Sequence, residues 1–251
     1  MSAHLAMRSG NPALTADTFR APRAAIGTDA MTVSGTVNKT ALALLILLVA
    51  ATYTWGIGAA GDPRIGVFVG IGVIGGLVAA LVTVFKKEWA PITTPVYAAL
   101  EGLALGGISV MFERAYPGIV SQAIFLTFGT LAALLLAYRS GLIRATENFK
   151  LGVAAATGGV FFLYLIGFVL SFFGVGIPLI HGSGTVGIVF SLVVVGIAAL
   201  NLVLDFDFIE EGAERGAPKY MEWYGAFGLL VTLIWLYLEL LRLLAKLQER
   251  R

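Results

Sequence analysis

Cysteine is absent from the 251 residues, and histidine occurs only at His4 and His181. Without thiols there is no disulfide, no thiolate metal site and no cysteine nucleophile. Two histidines are too few for a histidine-based metal cluster. Charge is also scarce: 13% of residues are Asp, Glu, Lys or Arg, against 58% hydrophobic. A soluble domain carries about a quarter charged residues, enough to coat a surface in contact with water. The basic residues are dispersed and the net charge is +2, so no nucleic-acid footprint is expected. There is no glycine-rich phosphate loop and no metal-ligand spacing. These absences lead us to expect neither an enzyme nor a resident cofactor.

What the chain does have is long apolar runs, near 40–59, 65–85, 93–112, 118–138, 151–173, 184–208 and 222–243. Each holds about 20 residues, enough at a 1.5 Å rise to cross a hydrocarbon core of ~30 Å. The expected fold is all-α, a polytopic membrane protein with seven transmembrane helices. Residues 1–38 read as a disordered cytoplasmic tail, 39–244 as the transmembrane domain and 245–251 as a basic tail. No cleavable leader is expected, because the first apolar run starts so late. A short surface helix over Pro12–Phe19 is the one alternative within the tail. Tyr53, Trp55, Trp89, Tyr116, Tyr138 and Trp223 fall where a bilayer interface would be.

Lys and Arg counts set the orientation. With the N-terminus inside, the cytoplasmic segments hold Arg8, Arg20, Arg23, Lys39, Lys86, Lys87, Arg139, Arg144, Lys150, Arg215 and Lys219. The outer loops hold Arg64 and Arg114. Seven spans leave Arg242, Lys246, Arg250 and Arg251 outside, against the rule; a re-entrant last segment would return the tail inside, but Tyr220–Leu244 is long enough to span. Gly66 with Gly70, Gly72 with Gly76, and Gly102 with Gly106 have the small-xxx-small spacing that lets helices approach closely in lipid.

Ionisable residues inside apolar runs are costly and need a reason. Asn201, Asp205, Asp207, Glu210 and Glu211 end the sixth run. Asp205 is the deepest acid and shares a helix face with Asn201. Asp205, Asp207, Glu210 and Glu211 have the oxygen chemistry for a hard cation such as Ca²⁺. The plainer reading of Asp207, Glu210 and Glu211 is a solvated helix end. Glu222 opens the last helix, where an acid suits the helix dipole, or faces the acids of the sixth. Glu101 sits near mid-membrane with no charge within a helical turn. Glu239 and Arg242 are spaced as a structural ion pair. Two catalytic readings fail. Ser183 lies in a loop and His181 is too near it in sequence to act as its base. Asp205 and Asp207 share one helix, whereas an aspartyl dyad draws its acids from two.

The stretches Tyr97–Ser109, with its Glu101-Gly102 pair, and Leu204–Tyr224 resemble the Bax inhibitor-1/YccA family, also called the transmembrane Bax inhibitor motif family, most nearly its bacterial branch. The resemblance covers residues 39–244. It implies a seven-helix bundle with the last helix central, in the bacterial inner membrane. It also implies a pH-sensitive Ca²⁺ leak and protection against membrane or cell-death stress. In such proteins an aspartate ending the sixth helix pairs with one in the seventh as a pH-sensing latch. Matching on Gly216 and Tyr220 places the first at Asp205 and its partner at Ala226 or Leu230, neither of which is an acid. Glu222, one turn before Ala226, and Glu101 are the candidates to replace it. Ca²⁺ would then be the transported ion and lipid the main partner. A non-conducting protein that regulates a membrane protease or stress pathway by helix packing is the rival. A secondary transporter ranks third, because Pro91 and Pro95 stand at a helix start rather than in paired broken helices.

Overall fold

Thr32 starts the first helix. Its hydroxyl accepts from the Gly35 N–H at 2.9 Å, which satisfies one of the donors a helix N-terminus leaves open. The structure is a computed structural model that describes residues 30–174 and 182–250. Seven long helices follow in order: α1 (Val33–Ala59), α2 (Ile65–Phe85), α3 (Ala90–Ala115), α4 (Ile119–Arg139), α5 (Glu147–Ser171), α6 (Thr185–Glu214) and α7 (Met221–Glu249). A 3₁₀ turn, Lys87–Trp89, leads into α3. All seven are long and apolar enough to cross a membrane.

The helix ends differ from the expected ones. α1 begins at Val33, inside the segment read as tail, because Thr32 caps it. Thr36 and Thr40 then bond back to the carbonyls four residues earlier, at 3.0 and 2.9 Å. α6 runs on through its acids to Glu214 and stops near Gly216, whose φ of +64° suits a residue without Cβ. α7 extends to Glu249, so most of the expected basic tail is helical. Pro91 lies in the first turn of α3 as expected, but Pro95 is inside the helix. The Pro12–Phe19 segment and the rest of residues 1–29 lie outside the described residues, as does His181.

The chain divides into two compact units. The N-terminal unit comprises residues 30–117 and 208–231 of the described chain. Within it α3 packs on both α1 and α2. A Cβ on Gly102 would strike the Leu47 carbonyl oxygen of α1, and one on Gly106 that of Ala51. A Cβ on Gly72 of α2 would stand 2.6 Å from the Leu100 oxygen. The Gly72/Gly76 and Gly102/Gly106 pairs are therefore close-approach surfaces. Gly66 and Gly70 face open space and do not pack as expected. Arg114 of α3 donates to the Gly58 carbonyl near the end of α1. In the turn between α1 and α2, hydrogen bonds from Arg64 hold the Asp62 carboxyl below the usual range.

The C-terminal unit comprises residues 118–174, 182–207 and 232–250 of the described chain. It contains α4, α5, most of α6 and the latter part of α7. Its apolar helices hold few polar groups, and several are satisfied locally. Thr127, for example, bonds back to Ala123 at 2.8 Å. Of the seven spans, α7 is the most enclosed: 67% of its most apolar window is buried, against 17–50% elsewhere. That agrees with a last helix inside the protein.

Candidate functional site

Glu222 is 0% exposed, and its carboxylate is fully engaged. Oε1 accepts from the Thr32 N–H and hydroxyl, both at 2.9 Å, and lies 3.0 Å from Lys219 Nζ. Oε2 pairs with Lys39, whose ammonium also stands over the Trp223 ring. One turn of α7 thereby clasps the N-terminus of α1. Backbone bonding extends the clasp: the Met31 N–H donates to the Ala217 carbonyl at 2.7 Å, and Ala30 bridges Pro218. Trp223 adds its carbonyl, which accepts from Thr94 of α3 at 3.2 Å. Two ammonium groups and two hydrogen-bond donors neutralise a charge that would otherwise be costly to bury. Glu222 therefore faces α1 and Lys219. Ala226 and Leu230, also in this unit, are fully buried apolar residues.

Glu101 lies in the same unit, halfway along α3 and half-buried. Its carboxylate rests on the bare flank of Gly76 in α2, where an added Cβ would stand 2.6 Å from Oε1. Gly76 therefore makes the room that Glu101 occupies. No described residue forms an ion pair or hydrogen bond with Glu101, and it does not pair with Glu222. Glu210 is exposed, and Glu211 pairs with Arg215 one turn on.

Asp205 belongs to the C-terminal unit and is 1% exposed. Asn201, one turn earlier on the same face, donates its amide to Thr157 Oγ1 at 2.8 Å and to the Ile197 carbonyl at 2.9 Å. The Asn201 Oδ1 is buried and accepts no hydrogen bond from the described residues. Asp207 points elsewhere, as a residue two positions on must, and pairs with Lys150 of α5 at 2.6 Å. Among the described residues no three acids or histidines come together as a metal site. Asp205 and Asp207 lie in the C-terminal unit, Glu210 and Glu211 in the N-terminal one. Asp207 and Glu211 hold basic partners.

Further along α7, Glu239 is buried and pairs with Arg242 at 2.7 Å, as its spacing predicts. The same oxygen accepts from Tyr164 of α5 at 2.9 Å and Trp235 at 3.3 Å. Lys246 donates to Ser191 Oγ at 2.8 Å and to the Gly187 carbonyl at 3.1 Å, both on α6. Sequence reasoning took Lys39, Lys150 and Lys246 only as topology markers and passed over Thr32, Tyr164 and Ser191. Thr32 carried a signal as a Thr just before a helix start, but its reach to residue 222 is a tertiary fact.

Seven spanning helices, with ionisable groups held at helix ends or between helices, define a multi-pass α-helical membrane protein. A comparison with family models narrows the class. The chain belongs to the Bax inhibitor 1 like family, whose model matches residues 11–249. No curated protein and no solved structure gives a match.

Proposed function

We propose that this membrane protein is a pH-responsive leak for cations, Ca²⁺ foremost, in a bacterial inner membrane, acting in protection against membrane or cell-death stress. The reading carries no enzymatic activity and no resident cofactor. It places the N-terminus in the cytoplasm, following the Lys and Arg counts. Asp205 is the titrating gate residue, and its burial at the end of the apolar part of α6 is the observation on which the proposal rests. A buried carboxylate has two protonation states that differ by a full charge where charge is costly. Changing state biases the helix arrangement that best accommodates it. Glu101, half-buried at mid-membrane and without an ion partner among the described residues, is the second titrating candidate. Glu222 is better suited to anchoring α1 than to replacing the missing latch acid, because its oxygens are already engaged.

The test is Ca²⁺ flux into liposomes that contain the purified chain, measured across pH. The reading expects flux that changes with pH and an Asp205→Asn variant whose profile is flat. Absence of flux at every pH, or an unchanged profile in the variant, rejects it. One observation favours a second reading. The α7 positions where the resemblance implies an acid, Ala226 and Leu230, are apolar and buried. That suits a non-conducting protein that regulates a membrane partner. A stoichiometric membrane partner that co-purifies with a chain incapable of flux decides for this alternative.

A further inference from the structure

Lys246 is placed unusually for a lysine near a helix end. Such side chains extend toward water and keep the ammonium hydrated. Lys246 instead turns onto α6 and is 4% exposed. Its two acceptors, Ser191 Oγ and the Gly187 carbonyl, are uncharged, and its third N–H has no acceptor among the described residues. Among the described residues no carboxylate pairs with it. Glu239, seven residues earlier, is held by Arg242, and Glu249, three residues on, is exposed and forms no ion pair with it. The segment 175–181 contains no Asp or Glu.

Arg242 is four residues from Lys246, on the same face of α7, where like charges repel. Its Nη1 bonds Glu239 and Tyr164. Nε and Nη2 have no hydrogen-bond partner among the described residues, and the side chain is 38% exposed. One acid and two bases leave this cluster with a net charge of +1. The ammonium also lies against the first turns of α6, the positive end of that helix. Both effects make an anion the missing partner.

Depth and surroundings indicate which anion. α7 has 29 residues and at 1.5 Å each rises ~43 Å, well beyond a ~30 Å core. Counting about 20 residues from Met221 brings Arg242 and Lys246 to the far interface, where lipid phosphates lie. Beside them, Val186, Val189 and Val193 form an exposed apolar strip on α6, and Leu247 is exposed on α7. We propose that Lys246, Arg242 and Ser191 bind the phosphate of an anionic phospholipid whose acyl chains lie along that strip. The site is independent of whether the chain conducts ions.

Native mass spectrometry of the full chain in non-ionic detergent tests this, with dioleoyl phosphatidylglycerol and dioleoyl phosphatidylcholine titrated separately. The anionic lipid should bind about tenfold more tightly, as expected for two basic groups at a lipid surface. Lys246→Met should bring the two lipids to within about twofold. Arg242→Lys keeps a charge for Glu239 but loses the planar fork, and should weaken the preference by about threefold. It decides the matter if Lys246→Met does not fold. Arg250→Gln with Arg251→Gln should leave the preference intact. Equal binding of the two lipids overturns the proposal, as does an unchanged preference in whichever of the two site variants folds. So does loss of preference in the tail variant alone. Displacement of the lipid by millimolar inorganic phosphate would show that the site takes free phosphate, and overturns the lipid assignment.

Discussion

Gly102 and Gly106 have no side chain, and α1 occupies the space one would fill. An added methyl group on either would meet a backbone carbonyl oxygen of α1, at Leu47 or Ala51. A backbone cannot rotate away as a side chain can, so the two helices would have to separate. Gly106→Ala should cost about 1–3 kcal/mol, the range for overpacking a tight contact. Gly129→Ala, with nothing within 4 Å, should stay within about 0.5 kcal/mol of the native chain. Denaturant titration in mixed micelles checks both, and equal losses would refute the close-approach reading. The Gly66/Gly70 pair has the same spacing and no such contact. Spacing alone could not separate the two cases, because only the neighbouring helix does. Glu239 with Arg242 was legible, since both partners lie within one helical turn.

Helices one to seven were legible in number and order because lipid imposes a minimum apolar length that few other constraints mimic. Their ends were not, because hydropathy does not register capping or a helix that continues through charged residues. Thr32 starts α1 seven residues before its apolar run, and α6 carries Asp205 to Glu214 as regular helix. The clasp between α1 and α7 was equally invisible, since residues 39 and 222 have no local relation. Glu222→Gln should loosen it. A fully buried pair loses roughly 3–5 kcal/mol when one partner is removed. Lys39 and Lys219 are partly exposed, with side-chain accessibilities of 21% and 49%, so about 2 kcal/mol is expected here. Hydrogen exchange should rise selectively over residues 32–40 in the variant. Uniform exchange along α1, or none at all, would contradict the clasp.

For the molecule as a whole, the seven spans among the described residues predict that the two ends of the chain lie on opposite sides of the membrane. A reporter active only in the cytoplasm should work when fused at residue 1 and be silent at residue 251. One active only outside should show the converse. Activity of the cytoplasmic reporter at both ends would mean an even number of crossings and would undo the orientation given above. Sequence found the buried acids because each stands out against an apolar background. It could not assign their partners: Lys150 for Asp207 and Thr32 for Glu222 come from other helices.

Lys39 and its carboxylate are 183 positions apart in the chain. A ribosome adding about 5–20 residues per second needs roughly 10–40 s to cover that distance. For that interval α1 sits in the bilayer as a finished helix while the acid it will bind has yet to be translated. Closure of this contact is therefore among the last steps of biogenesis. A nascent chain stalled before α7 emerges would leave its opening helix with an uncompensated cation.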